Sequence, residues 1–203
     1  MSIRPLKVLV FLAALGPIAW LGWGAWSHAL GANPIETITR ETGTWTLRFL
    51  VLSLAITPLR RITGWNDAIR FRRMLGLFAF FYGSLHLLTY LWLDQFFDWP
   101  AIVKDVYKRP FITAGAAGFL LMLPLALTST AGMIRRLGGR AWRRLHRLAY
   151  LAATAGVVHY WWLVKADIRR PRMYAVLLAI LLGYRAVAAL RARAGLGFGK
   201  QST

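Results

Sequence analysis

The sequence predicts an all-α integral membrane protein with six transmembrane helices and with both termini in the cytoplasm. Hydrophobic residues make up 58% of its 203 residues, and the mean hydropathy is +0.49. Apolar stretches long enough to cross ~30 Å of hydrocarbon recur along the chain. Basic residues accumulate in alternate connections between these stretches. The stretches are too long and too continuously apolar for barrel strands, so helices are the predicted spanning elements.

The six predicted spans lie at 8–27, 43–59, 74–94, 111–128, 145–164 and 172–190. The first span follows Arg4 and Lys7, as a signal peptide would. Its apolar run of about 20 residues is longer than the usual signal core of ~7–15, so we expect it to remain as a helix. The chain has no cysteine, which excludes disulfides and thiolate-ligated iron–sulfur clusters.

The distribution of charge predicts the orientation in the membrane. The connections 60–73 and 129–144 each carry five arginines, whereas 28–42 and 95–110 are close to balanced. Lysine and arginine accumulate in cytoplasmic loops, so the two arginine-rich connections and both termini are predicted to lie inside. The net charge of +19 therefore indicates contact with the anionic headgroups of the bilayer rather than with nucleic acid.

The connection 165–172 is an exception, because this topology places its basic residues outside. It holds Lys165, Arg169, Arg170 and Arg172 against Asp167. Two interpretations remain open at this point. The loop is either a short segment that the other charges overrule, or a docking patch for an acidic partner on the outer face.

Two predicted spans carry the same signature, Ala-x-x-x-Gly-x-x-His. Its members are Ala79, Gly83 and His86 in the third span and Ala152, Gly156 and His159 in the fifth. A histidine inside a bilayer is costly and therefore indicates function. The small residues lie on the same helical face as the histidine, so they are predicted to leave an open shelf beside each imidazole.

The two histidines are predicted to lie at the same depth. His86 follows Arg73 by 13 residues, and His159 follows Arg144 by 15. Both are then about 20 Å from the inner boundary of the membrane on parallel helices. Equal depth is what two axial ligands of an iron porphyrin require. The alternative is that each is a buried, hydrogen-bonded packing residue.

His146 is a further candidate ligand near the inner surface. It precedes His159 by 13 residues, which is about 20 Å along a helix and about 140° in rotation. The matching depth of the third span holds Arg72 and Arg73. His146 is therefore either a ligand of a second haem or an interfacial histidine beside lipid phosphate or Arg144. Arg185, near the inner end of the sixth span, is expected to extend to the headgroup layer.

Several short motifs are spread over the middle of the chain. They are Thr42-Gly43 with Trp45, Thr57-Pro58-Leu59-Arg60, Arg72-Arg73-Met74-Leu75-Gly76-Leu77, Leu85-His86, Lys108-Arg109-Pro110-Phe111-Ile112-Thr113, Pro124-Leu125-Ala126-Leu127-Thr128-Ser129, Arg135-Arg136-Leu137-Gly138 with Trp142, Leu145-His146, and His159-Tyr160 with Trp162. Together these motifs resemble a known family, the ferric-reductase-like transmembrane proteins. Within that family the chain is most similar to the haem-binding membrane subunits of bacterial periplasmic methionine sulfoxide reductase systems. The resemblance is strongest over residues 40–165, the expected core of a single domain covering 1–203.

The resemblance implies that His86, His146 and His159 occupy the family's haem-ligand positions. It implies haem b, with FMN as an additional candidate cofactor, in a multi-pass protein of the bacterial inner membrane. Electrons would come from the quinone pool or a cytosolic flavin reductase. They would pass to a periplasmic molybdopterin-containing subunit that repairs oxidised methionines. Relatives in the wider superfamily carry two histidines on each of two helices, whereas the third span here has one, so a second haem stays open.

Two other functions compete with electron transfer. A proton or metal transporter or channel could use the same histidines to carry protons or bind an ion. The spans hold no acidic residue away from their ends, and no inverted repeat is evident, which disfavours this alternative. The second alternative is a cofactor-free protein that anchors an assembly in the membrane. Under this alternative the paired histidine motifs would be a coincidence.

Overall fold

The structure of the chain, a computed structural model, describes residues 3–194. Within this range the regular elements are helices. A short 3₁₀ turn, Asn66–Ala68, precedes α3, and a π-helical segment, Thr89–Asp94, continues it. The α-helices are α1 (Arg4–Trp26), α2 (Pro34–Thr63), α3 (Ile69–Leu88), α4 (Trp99–Lys108), α5 (Pro110–Leu127), α6 (Ala131–Leu145), α7 (Leu148–Leu163) and α8 (Arg169–Arg193).

The ends of α2 follow local sequence signals. The Asn33 side chain accepts a hydrogen bond from the backbone N–H of Glu36, and Pro34 occupies the first turn, where its missing N–H costs nothing. Gly64 ends the helix with φ of 72°, a left-handed conformation that glycine adopts without strain. This tight ending turns the chain back so that α3 runs antiparallel to α2.

Five of the six predicted spans agree with a helix to within about five residues at each end, and the second, 43–59, lies inside the longer α2, which confirms an all-helical membrane fold. Four helical segments in the described part of the chain are long and apolar enough to cross a membrane: α1, Asn66–Asp94, α5 and α8. The predicted second span lies within α2, whose first turns are polar, and α7 has 16 residues. Six crossings therefore stay a prediction. The connections 95–110 and 129–144 contain α4 and α6.

Two antiparallel helix pairs form the centre of the molecule. One pair is α2 with α3 and the other is α5 with α7, and they meet where α3 contacts α5 and where α2 contacts α7. Helix α1 packs on the first pair, whereas α8 packs on α7 and α2. The buried core lies between the pairs and includes Leu47, Leu54, Phe78, Ala79, Ala152 and Ala153. The ends of α3 and α7 consequently lie at the same end of the bundle.

Tyr82 of α3 joins α1 to this core. Its side chain is fully buried, and its hydroxyl donates to the carbonyl of Ala14 at 2.8 Å and accepts from the N–H of Ile18 at 3.1 Å. Those two backbone groups would bond each other in a regular helix. Pro17, inside α1, interrupts the ladder at this point, and the hydroxyl inserts into the gap.

Arg185 does not extend to the headgroups, so that expectation is wrong. Its Nη2 donates to the carbonyl of Leu54 at 2.7 Å, and its Cζ lies 5.2 Å from the centre of the Tyr150 ring. The physical reason is Pro58, four residues after Leu54, which has no N–H to offer that carbonyl. A backbone carbonyl at membrane depth must be satisfied internally, and Arg185 supplies the donor.

Candidate functional site

His86 and His159 face each other across the interface of the two helix pairs. Their ring centroids are 6.0 Å apart, and the ring planes are inclined by 75°. His86 lies near the end of α3, and His159 lies near the end of α7. The structure thus brings together the two histidines that the sequence places at equal depth. Their role as ligands stays a prediction.

A backbone carbonyl orients each imidazole. Nδ1 of His86 lies 2.9 Å from the carbonyl oxygen of Thr39, and Nδ1 of His159 lies 2.6 Å from that of Phe111. A carbonyl can only accept, so each Nδ1 carries the hydrogen. The lone pair is then on Nε2 of both rings. A carbonyl partner on the far nitrogen is the usual arrangement behind a histidine that binds a metal.

A glycine lies four residues after each of these carbonyls and lets the imidazole approach closely. A Cβ atom on Gly43 would lie 3.0 Å from Nδ1 and Cε1 of His86, and one on Gly115 would lie 2.8 Å from Nδ1 of His159. We call each combination, Thr39 with Gly43 and Phe111 with Gly115, a carbonyl–glycine seat. Sequence reasoning missed both seats. The available signal was a glycine early in the second and fourth spans.

The open shelves predicted beside the histidines are absent, and this expectation is wrong. A Cβ on Gly83 would meet Cε of Met122 at 3.0 Å, and one on Gly156 would meet Cδ1 of Leu47 at 3.5 Å. Ala79 and Ala152 are almost completely buried. Side chains from neighbouring helices fill these positions, since small residues in membrane helices allow close packing.

His146 lies apart from the facing pair. It occupies the break between α6 and α7 rather than the start of a span. Its Nδ1 lies 3.1 Å from the carbonyl of Trp142, whose indole stacks on the imidazole at 3.8 Å. Its Nε2 is buried and has no hydrogen-bond partner. At the corresponding depth α3 carries Arg72 rather than a histidine, and the Arg72 side chain interacts electrostatically with His146.

The facing pair fits a haem iron in the chemistry of its donors. Each imidazole keeps its Nε2 lone pair for a metal, because its Nδ1–H donates to a carbonyl. The ring centroids are 6.0 Å apart, so the two helix pairs each present one nitrogen donor in the same region. His86 and His159 would hold the iron, and the haem would supply one-electron chemistry there.

Comparison with known proteins identifies the family. Residues 42–157 match the family described as "Ferric reductase like transmembrane component". The chain belongs to the ferric-reductase-like transmembrane family. This membership confirms the resemblance inferred from the sequence motifs, and with the apolar helices it makes the chain a multi-pass membrane protein. The matched range contains His86 and His146 and ends two residues before His159.

Individual relatives extend the similarity over most of the chain. A protein of Azospira oryzae is 58% identical over 191 residues, which is 94% of this chain and 82% of the relative. One of Herminiimonas arsenicoxydans is 55% identical over 87% of this chain and 82% of its own length. One of Rhodospirillum rubrum is 54% identical over 92% and 90%, respectively. All three are named protein-methionine-sulfoxide reductase heme-binding subunit MsrQ.

Proposed function

We propose that this protein is the haem b subunit that carries electrons through the inner membrane to a methionine sulfoxide reductase. The donor is the quinone pool or a cytosolic flavin reductase. The acceptor is a periplasmic molybdopterin-containing subunit that repairs oxidised envelope proteins. The observation that carries the proposal is the facing pair of His86 and His159, 6.0 Å apart with both Nδ1 atoms held by carbonyls. The names of the relatives support it.

The chain's own residues prepare the site for electron transfer rather than for oxygen chemistry. His86 and His159 would hold the haem iron, and the carbonyls of Thr39 and Phe111 keep both Nε2 lone pairs available for it. Two imidazole ligands would leave the iron without an open site for oxygen. When bound, the haem supplies a one-electron carrier in a low-dielectric shell.

The two ends of the bundle would serve different partners. The facing histidines are about 20 Å from the arginine-rich end of α3, so they lie closer to the outer surface. At the inner end, four arginines are candidate contacts for a quinone or for the phosphate of FMN: Arg72, Arg73, Arg143 and Arg144. His146 has no histidine opposite it, which favours one haem over two.

Replacement of each histidine tests the proposal. The protein is expressed in membranes with ample haem, purified in mild detergent, and examined by oxidised and dithionite-reduced spectra with haem quantified per chain. We expect His86→Ala and His159→Ala to lose the haem, and His146→Ala to retain it. His28 lies two residues after the end of α1 and is not part of the facing pair, so His28→Ala is the matched control. A colourless wild-type protein would contradict haem binding, and loss of about half the haem in His146→Ala would establish a second site.

A further inference from the structure

A groove with a volume of about 530 Å³ lies between α1 and α3, outside the haem-ligand site. Three cationic side chains line one end of it: Lys7 from α1, with Arg70 and Arg73 from α3. The rest of the lining is apolar and includes Phe11, Leu15, Leu77, Phe78 and Phe81. The groove is therefore basic at one end and apolar along its length, which is the pattern expected of a binding site for an amphiphilic molecule.

The dimensions of the groove match the inner half of a bilayer. Leu15 follows Lys7 by eight residues and Phe81 follows Arg73 by eight, so the apolar wall extends about 12 Å beyond the cations. Phe11 and Phe81 are 47% and 39% exposed, so the groove opens towards the outside of the bundle. Half of a hydrocarbon core is about 15 Å thick, which is the length over which an acyl chain would lie here.

Two contacts between α1 and α3 position the walls of the groove. The rings of Phe11 and Phe78 are 5.2 Å apart, and the Tyr82 hydroxyl bonds the backbone of α1 at two atoms. The two helices are thus joined along the apolar wall.

The cationic side chains at the basic end of the groove are expected to bind an anion. Arg70 pairs with Asp67 at 3.1 Å, but this pair is exposed. In the part of the chain that the structure describes, neither Lys7 nor Arg73 forms an ion pair with a carboxylate. A neutral quinone head would leave these two cations unbalanced. Basic pockets between transmembrane helices on the cytoplasmic side typically bind anionic lipid headgroups.

We propose that this groove binds one anionic phospholipid, with its phosphate at Lys7 and Arg73 and an acyl chain along the wall formed by Phe11 and Phe81. The site uses none of the histidines or seat residues assigned to haem, and it shares only Arg73 with the candidate contacts for a quinone or FMN. Its test therefore gives an answer whether or not the haem proposal holds. A bound lipid would also fill the space between the basic ends of α1 and α3.

Native mass spectrometry of the full-length protein in detergent tests the proposal. The protein is offered equimolar dioleoyl-phosphatidylglycerol and dioleoyl-phosphatidylcholine, and the retained lipid is identified. We expect the wild type to retain one phosphatidylglycerol. The double variant Lys7→Gln/Arg73→Gln should weaken retention at least about tenfold. Leu77→Trp keeps every charge but fills the groove, and it should weaken retention too. The matched control Arg135→Gln/Arg136→Gln removes two cations from α6 and should behave as wild type.

Competition on the wild-type protein keeps the test independent of how the variants fold. Inorganic phosphate, FMN or a ubiquinone analogue is added to the phosphatidylglycerol complex, and none should displace the lipid. Displacement by any of them would overturn the proposal, because the groove would then serve a soluble anion, a flavin or a quinone. The proposal would also be overturned if the wild type retained phosphatidylcholine as well as phosphatidylglycerol, or if the α6 control lost as much lipid as the groove variants. Either result would mean that retention does not depend on an anionic headgroup bound in the groove.

Discussion

Each imidazole of the facing pair is positioned by a residue on another helix rather than by its own. The carbonyls of Thr39 and Phe111 fix the rotation of the rings through Nδ1. Gly43 and Gly115 provide the flat backbone surface against which the rings lie. Such support restricts the motion of a ligand before the metal arrives, which is how outer contacts raise affinity. The same seat occurs once in each helix pair.

Adding a methyl group to a seat should reduce haem binding. Gly115→Ala places Cβ 2.8 Å from the His159 ring, and Gly43→Ala places it 3.0 Å from His86, so we expect less haem per chain in both and the larger loss in Gly115→Ala. Helix propensity alone acts in the opposite direction, because alanine stabilises a helix interior over glycine by about 1 kcal/mol. Haem content and the reduced spectrum of the purified variants measure the effect.

Gly22→Ala is the matched control, because a Cβ there has no atom within 4 Å. It should bind haem as the wild type does. Full haem content in Gly115→Ala would show that the imidazole does not need its observed position.

The residues that sequence reasoning found and missed differ in where their partners lie. Spacing along one helix gives depth, so the pairing of His86 with His159 could be predicted from positions relative to Arg73 and Arg144. Contacts between helices do not appear in that spacing. Gly43 and Gly115 were missed for this reason, and the space beside Gly83 was wrongly predicted to be open.

At the scale of elements, a side chain repairs the interrupted ladder of α1. The Tyr82 hydroxyl bonds the carbonyl of Ala14 and the N–H of Ile18 beside Pro17. A proline inside a helix indicates an interrupted ladder, but the partner on α3 could not be predicted from α1 alone. The outcome is that α1 is attached to the bundle by a polar contact deep in the apolar core.

Removing that hydroxyl should loosen α1. Tyr82→Phe keeps the buried ring but leaves two backbone groups without their partner, which costs about 1–3 kcal/mol for a buried hydrogen-bonding group. We expect a lower thermal unfolding midpoint in detergent, with α1 more rapidly cleaved by protease. Tyr107→Phe removes a hydroxyl from a side chain that is 88% exposed and should change neither measurement. An unchanged midpoint in Tyr82→Phe would mean that the ladder closes without help.

At the scale of the whole molecule, the number of crossings is the main open prediction. α7 has 16 residues, about 24 Å of helix, which is shorter than the ~30 Å hydrocarbon core. A short helix can still cross by thinning the bilayer locally. The basic residues at the end of α8 predict that it does, because 129–144 and the C-terminus both lie inside only if α7 and α8 each cross.

Single cysteines can test this topology directly, because the chain has none of its own. We expect Lys104→Cys and Lys165→Cys to react with a membrane-impermeant maleimide applied from the periplasmic side. Arg61→Cys and Arg140→Cys should react only after the membrane is permeabilised. Labelling of positions 140 and 165 from the same side would show that α7 does not cross, and would contradict the six-span fold.

The start of α8 carries more basic than acidic residues. Arg169, Arg170 and Arg172 lie in or near its first turn, where the helix dipole disfavours cations, and Asp167 is the one nearby carboxylate in the loop 165–172. Arg169 is exposed, and its Nε lies 3.9 Å from that carboxylate. These arginines reduce the stability of the helix and remain exposed. This combination favours the interpretation of the loop as a docking patch for an acidic partner over the interpretation in which charges elsewhere in the chain determine the topology.

Reversing the charge should therefore change stability and docking in opposite directions. Arg169→Glu/Arg170→Glu places acidic residues at a helix N-terminus, where each typically contributes about 0.3–1 kcal/mol, so the thermal midpoint should rise. Electron delivery to the purified periplasmic reductase should slow at low salt, and the difference from wild type should shrink as salt screens the charges. Arg135→Glu/Arg136→Glu makes the same charge change on α6, which the six-span topology predicts to lie at the opposite face of the membrane, and should leave delivery unaffected. Unchanged kinetics at low salt in the α8 variant would leave the basic loop as a consequence of topology alone.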